Sequence, residues 1–152
     1  MRIVIGSDHE GFSLKQDLAA FLGQQGHALL DVGTGSAEPV DYPDFSEAVG
    51  QAVLSGQAER GILLCGSGVG AAVAASKLPG IRASVCHDTY SAHQGVEHDD
   101  MNVLVLGGLV VGRALARDLA LAYLAARYSG EERHARRLEK IRAIERRYAA
   151  PR

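Results

Sequence analysis

The 152-residue sequence predicts an α/β fold in which a five-stranded parallel sheet lies between two layers of helices. Five short apolar or β-branched runs are each followed by a turn-forming residue, and amphipathic helical patterns separate them. Strands that alternate with helices favour parallel pairing, because each crossover helix covers one face of the sheet. The length suits one substantial core. We therefore expect a single domain over residues 1–152, with its α/β core at 1–128.

The predicted strands are short and mostly apolar, which is typical of strands buried on both faces of a sheet. Their sequences are IVI, ALLDV, ILLC, IRASVC and VLVL, at residues 3–5, 28–32, 62–65, 81–86 and 103–106.

The predicted helices follow the 3.6-residue apolar period. The first and the fifth are indicated by shared apolar faces, formed by Leu14, Leu18, Phe21 and Leu22 and by Leu115, Leu119, Tyr123 and Ala126. The second begins at Pro43 or Asp44, where DYP offers a cap and a first-turn proline. The third opens near Val69, after a glycine-rich loop. A short fourth helix fits residues 88–98, although Gly95 weakens it.

The chain changes character after residue 130. Residues 131–148 contain seven Arg or Lys and four Glu, so this arm carries +3 and the remainder of the chain carries −5. Its apolar residues form one narrow stripe, which consists of Leu138, Ile141, Ile144 and Tyr148. A helix with so thin an apolar face is unstable alone in water. We therefore expect the arm to pack on a partner subunit, in a homodimer at least.

Composition and charge argue against several classes of protein. A net charge of −2 and a pI near 6.3 do not favour nucleic-acid or membrane-surface binding. The apolar run at the N-terminus is too short for a signal peptide. A membrane span needs about 18 consecutive apolar residues, and no stretch of the sequence is that long. We expect a soluble, cytoplasmic protein. Cys65 and Cys86 are too few for a disulfide framework, so we expect both to be reduced.

The sequence CGSGVG at residues 65–70 follows the third predicted strand, where ligands of open α/β folds bind. Gly66, Gly68 and Gly70 allow backbone N–H groups to face one point, and the helix that follows adds positive charge. Such a loop can hold an anion and favour the thiolate form of Cys65. A buried strand end followed by a tight turn is the alternative interpretation. The spacing matches neither a dinucleotide fingerprint nor a P-loop.

Other polar residues are candidates for chemistry. Asp8 and His9 follow the first strand, at the same sheet edge as the glycine loop, although Asp8 could be only a helix cap. His98 precedes the fifth strand, so we expect it at the opposite edge, from which it would have to serve a neighbouring subunit. His98, Asp99 and Asp100 are adjacent and lack a defined ligand spacing, which argues against a metal site.

Two arginines of the arm are candidates for anion binding. Arg133 and Arg137 are one helical turn apart, so both guanidinium groups can reach one phosphate. The alternative is a solvated charged face.

Seven motifs occur in a fixed order: GSDHEGF, DYPDF, CGSGVG, KLPGIRA, DTYSAH, EHDDMNVL and RHARR. With these motifs the chain resembles, over essentially its whole length, the ribose-5-phosphate isomerase B family, which is related to the galactose-6-phosphate isomerase subunits. The resemblance implies a Rossmann-like sheet and a homodimer with its sites at the interface; the sequence leaves a tetramer open. It also implies interconversion of D-ribose 5-phosphate and D-ribulose 5-phosphate through a cis-enediol(ate), without metal or cofactor.

The resemblance further implies roles for individual residues. Cys65 is the base that moves a proton between C2 and C1, and the Ser67 hydroxyl assists proton transfer at the oxygens. Asp8 and the partner's His98 help to open the furanose ring. Backbone amides of the glycine loop are suited to hold the oxyanion. The substrate-binding set consists of His9, Gly66, Gly68, Val69, Gly70, Asp99, Arg133, His134 and Arg137.

Two residues depart from the family pattern. Asp99 occupies a position where the family commonly has Asn, and a carboxylate there disfavours a nearby enediolate unless it is protonated, turned away or bonded to sugar hydroxyls. Leu109 occupies a position where the family often has Arg, which removes one phosphate contact. Another phosphorylated aldose, such as allose 6-phosphate, erythrose 4-phosphate or galactose 6-phosphate, is therefore an alternative substrate. A non-catalytic phosphosugar-binding module is the alternative from a different class.

Overall fold

A computed structural model describes residues 1–149 of the chain, in which strands and helices alternate. The strands are β1 (Arg2–Ser7), β2 (Ala28–Asp31), β3 (Arg60–Cys65), β4 (Ala83–Val85) and β5 (Val103–Gly107). The helices are α1 (Phe12–Gln24), α2 (Tyr42–Leu54), α3 (Val69–Ala75), α4 (Thr89–Asp99), α5 (Arg113–Ala125) and α6 (Glu132–Tyr148). All pairings are parallel, in the order β2-β1-β3-β5-β4. The predicted fold class is therefore confirmed.

Element boundaries differ from the prediction by one or two residues. The fourth strand was expected over 81–86, but only Ala83, Ser84 and Val85 pair with β5, because β4 is an edge strand with a single neighbour. Helix α2 begins one residue earlier than expected, at Tyr42, with proline in its first turn.

Side chains of each central strand alternate between two cores. On β3, Ile62 and Leu64 pack with apolar residues of α1, α4 and α5, whereas Leu63 and Cys65 pack with those of α2 and α3. Both faces of the sheet are therefore covered, as expected for buried parallel strands. The result is the three-layer arrangement that the apolar runs predicted.

Three central strands end at the same edge of the sheet, here called the carboxyl edge. Ser7 of β1 pairs with Leu64 of β3, and Cys65 of β3 pairs with Gly107 of β5. The segments that follow these strands consequently leave the sheet side by side. Helix α4 runs back to the opposite, amino edge, since it ends at Asp99 just before β5 begins.

The arm helix α6 packs partly on its own chain. His134 and Leu138 are each 2% exposed, and the Ser129 N–H donates to the Glu97 carbonyl at 3.0 Å, which ties the start of the arm to α4. Ile141, Ile144 and Tyr148 remain exposed. Only this outer part of the predicted stripe is therefore available to a partner, and its packing there remains a prediction.

The helices of residues 1–149 do not meet the requirements of a membrane span. None of them combines enough length with enough apolar character to cross a bilayer. The longest, α6, spans 17 residues and is strongly charged.

Candidate active site

The sulfur of Cys65 lies beneath the glycine loop at the end of β3. Its Sγ accepts a hydrogen bond from the Gly68 backbone N–H at 3.2 Å. Gly68 has a φ of +83°, a conformation that glycine adopts freely, and this turn folds the loop back over the strand end. Cys65 is 4% exposed and belongs to the core formed with α2 and α3. The residue therefore contributes to packing, and an amide donor also stands ready to stabilise negative charge on its sulfur.

Two of the amides expected to hold an anion are used inside the loop. The Gly68 amide donates to sulfur, and the Val69 amide donates to Ser67 Oγ at 3.2 Å. Both acceptors are side chains of the loop itself, which is why these amides turn inward. Of the amides of residues 66–70, those of Gly66, Ser67 and Gly70 are left for an oxyanion.

The end of β5 packs directly against the glycine loop. The Gly108 N–H donates to the Cys65 carbonyl at 2.8 Å. A Cβ at position 107 would lie 2.7 Å from the Ser67 carbonyl oxygen, so only glycine permits this approach. The close backbone contact fixes the position of Ser67, whose side chain is exposed.

Asp8 follows β1, and its carboxylate closes the turn at residues 9–11 that leads into α1; the helix cap expected from the sequence is not formed. Asp8 Oδ1 accepts the N–H groups of Glu10 at 3.0 Å and Gly11 at 3.1 Å. The Asp8 N–H donates to the Leu64 carbonyl at 3.3 Å, which sets the residue beside the end of β3. Asp8 is 5% exposed. Because Oδ1 already accepts two amides of the turn, Oδ2 is the oxygen left for a ligand.

His9 has its tautomer defined by a backbone donor. The Val40 N–H donates to His9 Nδ1 at 3.1 Å. A nitrogen that accepts a hydrogen bond carries no proton, so the proton of the neutral ring is on Nε2. Nε2 lies 3.7 Å from Oε1 of Glu10. His9 thus offers an N–H donor at the carboxyl edge.

Two residues at this edge were missed by the sequence analysis. Tyr42 covers Gly70, where a Cβ would lie 2.7 Å from the Tyr42 Cζ atom. His87 follows β4, and its Nε2 accepts the Gly107 N–H at 2.9 Å. Tyr42 lies in the motif DYPDF, and His87 directly follows a predicted strand. Their positions next to predicted elements could have indicated that both lie at the carboxyl edge.

A second group of predicted residues lies on α4 and α6. The rings of His98 and His134 stack with their centroids 4.0 Å apart and an angle of 27° between them. His98 Nδ1 is 2.7 Å from Gln94 Nε2, and His134 Nδ1 is 2.6 Å from Ser129 Oγ. Within residues 1–149 the buried Nε2 of His134 has no hydrogen-bond partner. This ring therefore supports His98 and does not offer a donor at the surface.

The stack has an electrostatic consequence. Burial lowers the pKa of His134, and the nearby charges of His98 and Arg133 lower that pKa further. His134 is consequently neutral near pH 7, so its ring adds no positive charge beside His98.

The charged residues of the second group are exposed. Arg133 Nε is 3.0 Å from Glu131 Oε2, whereas Arg137 extends from the same helix face one turn later. Asp99 is exposed on the wall of a cavity of about 520 Å³ between α4, β4 and α6.

The predicted site residues thus form two groups at opposite edges of one sheet. β3 is six residues long, so the edges are about 20 Å apart. A smaller cavity of about 210 Å³ lies at the carboxyl edge, and neither of these two cavities includes Cys65 in its lining. Among residues 1–149, no three His, Cys, Asp or Glu side chains are placed to share a metal ion. The two groups in one chain therefore do not form one enclosed site.

The substituted position Leu109 lies at the mouth of the first group. Its side chain is 75% exposed, and its Cδ1 would be 3.5 Å from a Cβ at position 66. An apolar side chain therefore borders the glycine loop where the resemblance suggested a cation.

Comparisons with known proteins agree with this architecture. The family described as Ribose/Galactose Isomerase matches residues 3–141. Ribose-5-phosphate isomerase B of Escherichia coli strain K12 is 47% identical over 146 residues, which are 96% of this chain and 97% of that protein. D-erythrulose-4-phosphate isomerase of Pectobacterium atrosepticum is 37% identical over 131 residues, 86% of each. The structure of Clostridium thermocellum ribose-5-phosphate isomerase B superposes with a TM-score of 0.95 at 49% identity, covering 97% of this chain and 99% of that one.

The lowered pKa of His134 predicts a pH dependence of stability. Below about pH 6.5 the unfolded histidine binds a proton that the folded one resists, so this residue makes unfolding easier as the pH falls through and below about 6.5. His134→Phe, which keeps a ring against His98, should reduce this decline in the free energy of unfolding, measured by urea titration at each pH. His93→Phe, at an exposed position of α4, is the control. Equal declines in wild type and His134→Phe would contradict the assignment.

Proposed function

The chain belongs to the ribose/galactose isomerase family, and from this premise we propose that it interconverts D-ribose 5-phosphate and D-ribulose 5-phosphate. The reaction is an aldose–ketose isomerisation that moves one proton between C2 and C1 through a cis-enediol(ate). The observation that carries the proposal is the Cys65 sulfur, held under the Gly68 amide at the sheet edge where Asp8 and His9 also lie.

Ring opening comes first, because the sugar enters as a closed furanose. Opening requires a proton to leave the C1 hydroxyl and another to reach the ring oxygen. Asp8 is suited to one transfer through Oδ2, since its other oxygen accepts the Glu10 and Gly11 amides. The partner's His98 is suited to the other, with its ring oriented by Gln94 and by the stack on His134.

Proton abstraction follows on the open-chain aldehyde. The Cys65 thiolate takes the proton from C2, the electron pair moves into the C1–C2 double bond, and negative charge develops on the carbonyl oxygen. The free amides of Gly66 and Gly70 can hold that oxyanion, and one such donor is worth about 3 kcal/mol of barrier reduction. Ser67 can move the proton between the two oxygens, because the Val69 amide orients its hydroxyl. Return of the proton from Cys65 to C1 completes the ketose.

Phosphate binding uses donors from both groups. His9 contributes the N–H of Nε2, while Arg133 and Arg137 of the partner contribute guanidinium groups. Arg133 exchanges its contact with Glu131 for the phosphate. His134, expected among the substrate-binding residues, contributes in this proposal by holding the ring of His98.

A homodimer is the assembly that this chemistry requires. The two groups lie about 20 Å apart within one chain, so each site combines the carboxyl edge of one subunit with α4 and α6 of the other. Exposed apolar side chains on α3 and on the arm support contact with a partner subunit at these surfaces. Val69, Val73 and Ile144 are 59%, 56% and 55% exposed. Both cysteines are free, as suits a cytoplasmic protein.

One observation favours another phosphosugar as the second candidate substrate. Leu109 borders the loop as an exposed apolar side chain, and Asp99 adds a carboxylate to the second group. The Pectobacterium relative carries the name of a four-carbon sugar-phosphate isomerase. Comparing kcat/KM for ribose 5-phosphate with values for four- and six-carbon phosphosugars decides between the candidates.

Replacing Cys65 tests the base. Cys65→Ala should lower kcat for ribose 5-phosphate by roughly 10³-fold or more, because no other group takes the C2 proton. Calorimetry should still detect sugar-phosphate binding. Cys86→Ala is the matched control: Cys86 is also 4% exposed, and burial raises the pKa of its thiol, which keeps it unreactive. Full activity in Cys65→Ala, or an equal loss in both variants, would rule out Cys65 as the base.

Mixing inactive variants tests the shared site. A dimer of one Cys65→Ala chain and one His98→Ala chain contains one site with both residues intact and one site with both replaced. Activity should therefore reappear when the two variants are unfolded together and refolded, reaching up to about half of the wild-type value in the mixed dimer. Each variant refolded alone is the control. A mixture no more active than its parents would mean that each chain builds its own site.

A further inference from the structure

Lys15 is a buried charge that the proposed mechanism does not use. It lies in the first turn of α1, and its side chain is 2% exposed. Its Nζ is 2.8 and 2.7 Å from the two carboxylate oxygens of Asp31 and donates to the Thr34 carbonyl at 2.9 Å. All three ammonium donors are thus occupied.

These contacts fix the beginning of the loop at residues 32–41. The Gly33 N–H donates to Asp31 Oδ1 at 2.9 Å, and the Thr34 N–H donates to the Ser7 carbonyl at 2.9 Å, at the end of β1. Thr34 is buried, whereas residues 35–39 are exposed. The loop therefore has one anchored end next to the site and an exposed middle.

The far end of the same loop contacts two site residues. The Val40 N–H donates to His9 Nδ1 at 3.1 Å. Two residues later, Tyr42 begins α2 and covers Gly70 of the glycine loop. The position of this loop consequently decides whether His9 keeps its acceptor nitrogen paired and its proton on Nε2.

We propose that Lys15 is a positioning residue whose ammonium group holds the 32–41 loop so that Val40 fixes His9 with its Nε2–H toward the substrate phosphate. A buried ammonium is costly unless it is paired, and here the pairing is complete, so Asp31 and Thr34 have one strongly favoured arrangement. Without the ammonium, the Thr34 carbonyl and Asp31 lose their shared donor. The loop then shifts, and His9 samples both tautomers. The part of this proposal that concerns substrate rests on the proposed function.

The test compares two ion pairs on the same helix. Lys15→Met removes the charge at similar volume and should raise KM for ribose 5-phosphate about tenfold with little change in kcat, since a hydrogen bond to a charged group is lost. Arg117→Met is the matched control, because Arg117 contacts Asp17 of α1 through two bonds of 3.1 and 2.8 Å on the side that faces α5. The control should lose stability in urea but keep the wild-type KM.

A second measurement does not depend on turnover. Nitrogen NMR of the ring of His9 in the ligand-free protein should show the Nε2–H tautomer in wild type and in Arg117→Met, and a mixture of tautomers in Lys15→Met. If wild type does not isomerise ribose 5-phosphate, the proposed function fails while this spectrum still tests the role of Lys15. Asp31→Asn replaces the half-exposed partner of Lys15 and is the substitute variant if Lys15→Met does not fold. It should also raise KM and give a mixture of His9 tautomers in the NMR spectrum.

The double variant decides whether Lys15 acts through His9. KM of Lys15→Met/His9→Ala should equal KM of His9→Ala, because the two substitutions remove the same interaction. The proposal would be overturned if the increases in KM caused by the two substitutions multiplied in the double variant. It would also be overturned if Lys15→Met folded and kept the wild-type KM and the wild-type His9 spectrum.

Discussion

The parallel register of β1, β3 and β5 is the constraint on which the site depends. Because Cys65 pairs with Gly107 and Leu64 pairs with Ser7, three loops leave the sheet at one edge and contact one another. The sulfur then accepts the Gly68 amide, and the Asp8 carboxylate closes the turn that follows β1 beside it. Backbone hydrogen bonds position both the sulfur and the carboxylate. The fold therefore sets the geometry of these groups without the need for long side chains.

The same topology divides the proposed catalytic groups between the two ends of the sheet. Helix α4 returns to the amino edge before β5 begins, and α6 docks there through the stacked rings of His98 and His134. A buried polar residue supports each of the two groups of site residues. Lys15 holds the loop that reaches His9, and His134 stacks on His98. Activity is therefore tied to assembly in our proposal, since one chain supplies the base and the other supplies most of the phosphate contacts.

The sequence predicted the layers and the edge residues because both follow from local patterns. Apolar runs predicted the five strands. Asp8 and Cys65 were placed at the carboxyl edge because each lies at the end of a predicted strand. Hydrogen-bond directions could not be predicted, because they depend on which elements meet in three dimensions. This is why the inward donation by the Gly68 and Val69 amides, the burial of Lys15 and the stacking of His134 were found only in the structure. Tyr42 and His87 were missed for the same reason.

Deuterium incorporation tests most directly whether Cys65 moves a proton between C2 and C1. Wild type should convert ribose 5-phosphate in deuterium oxide with deuterium appearing on C1 or C2, observed by NMR, because the proton held by the sulfur exchanges with solvent. Cys65→Ala should show none of this incorporation. Conversion by wild type with no deuterium on either carbon, or equal incorporation by Cys65→Ala, would contradict proton transfer by this thiol.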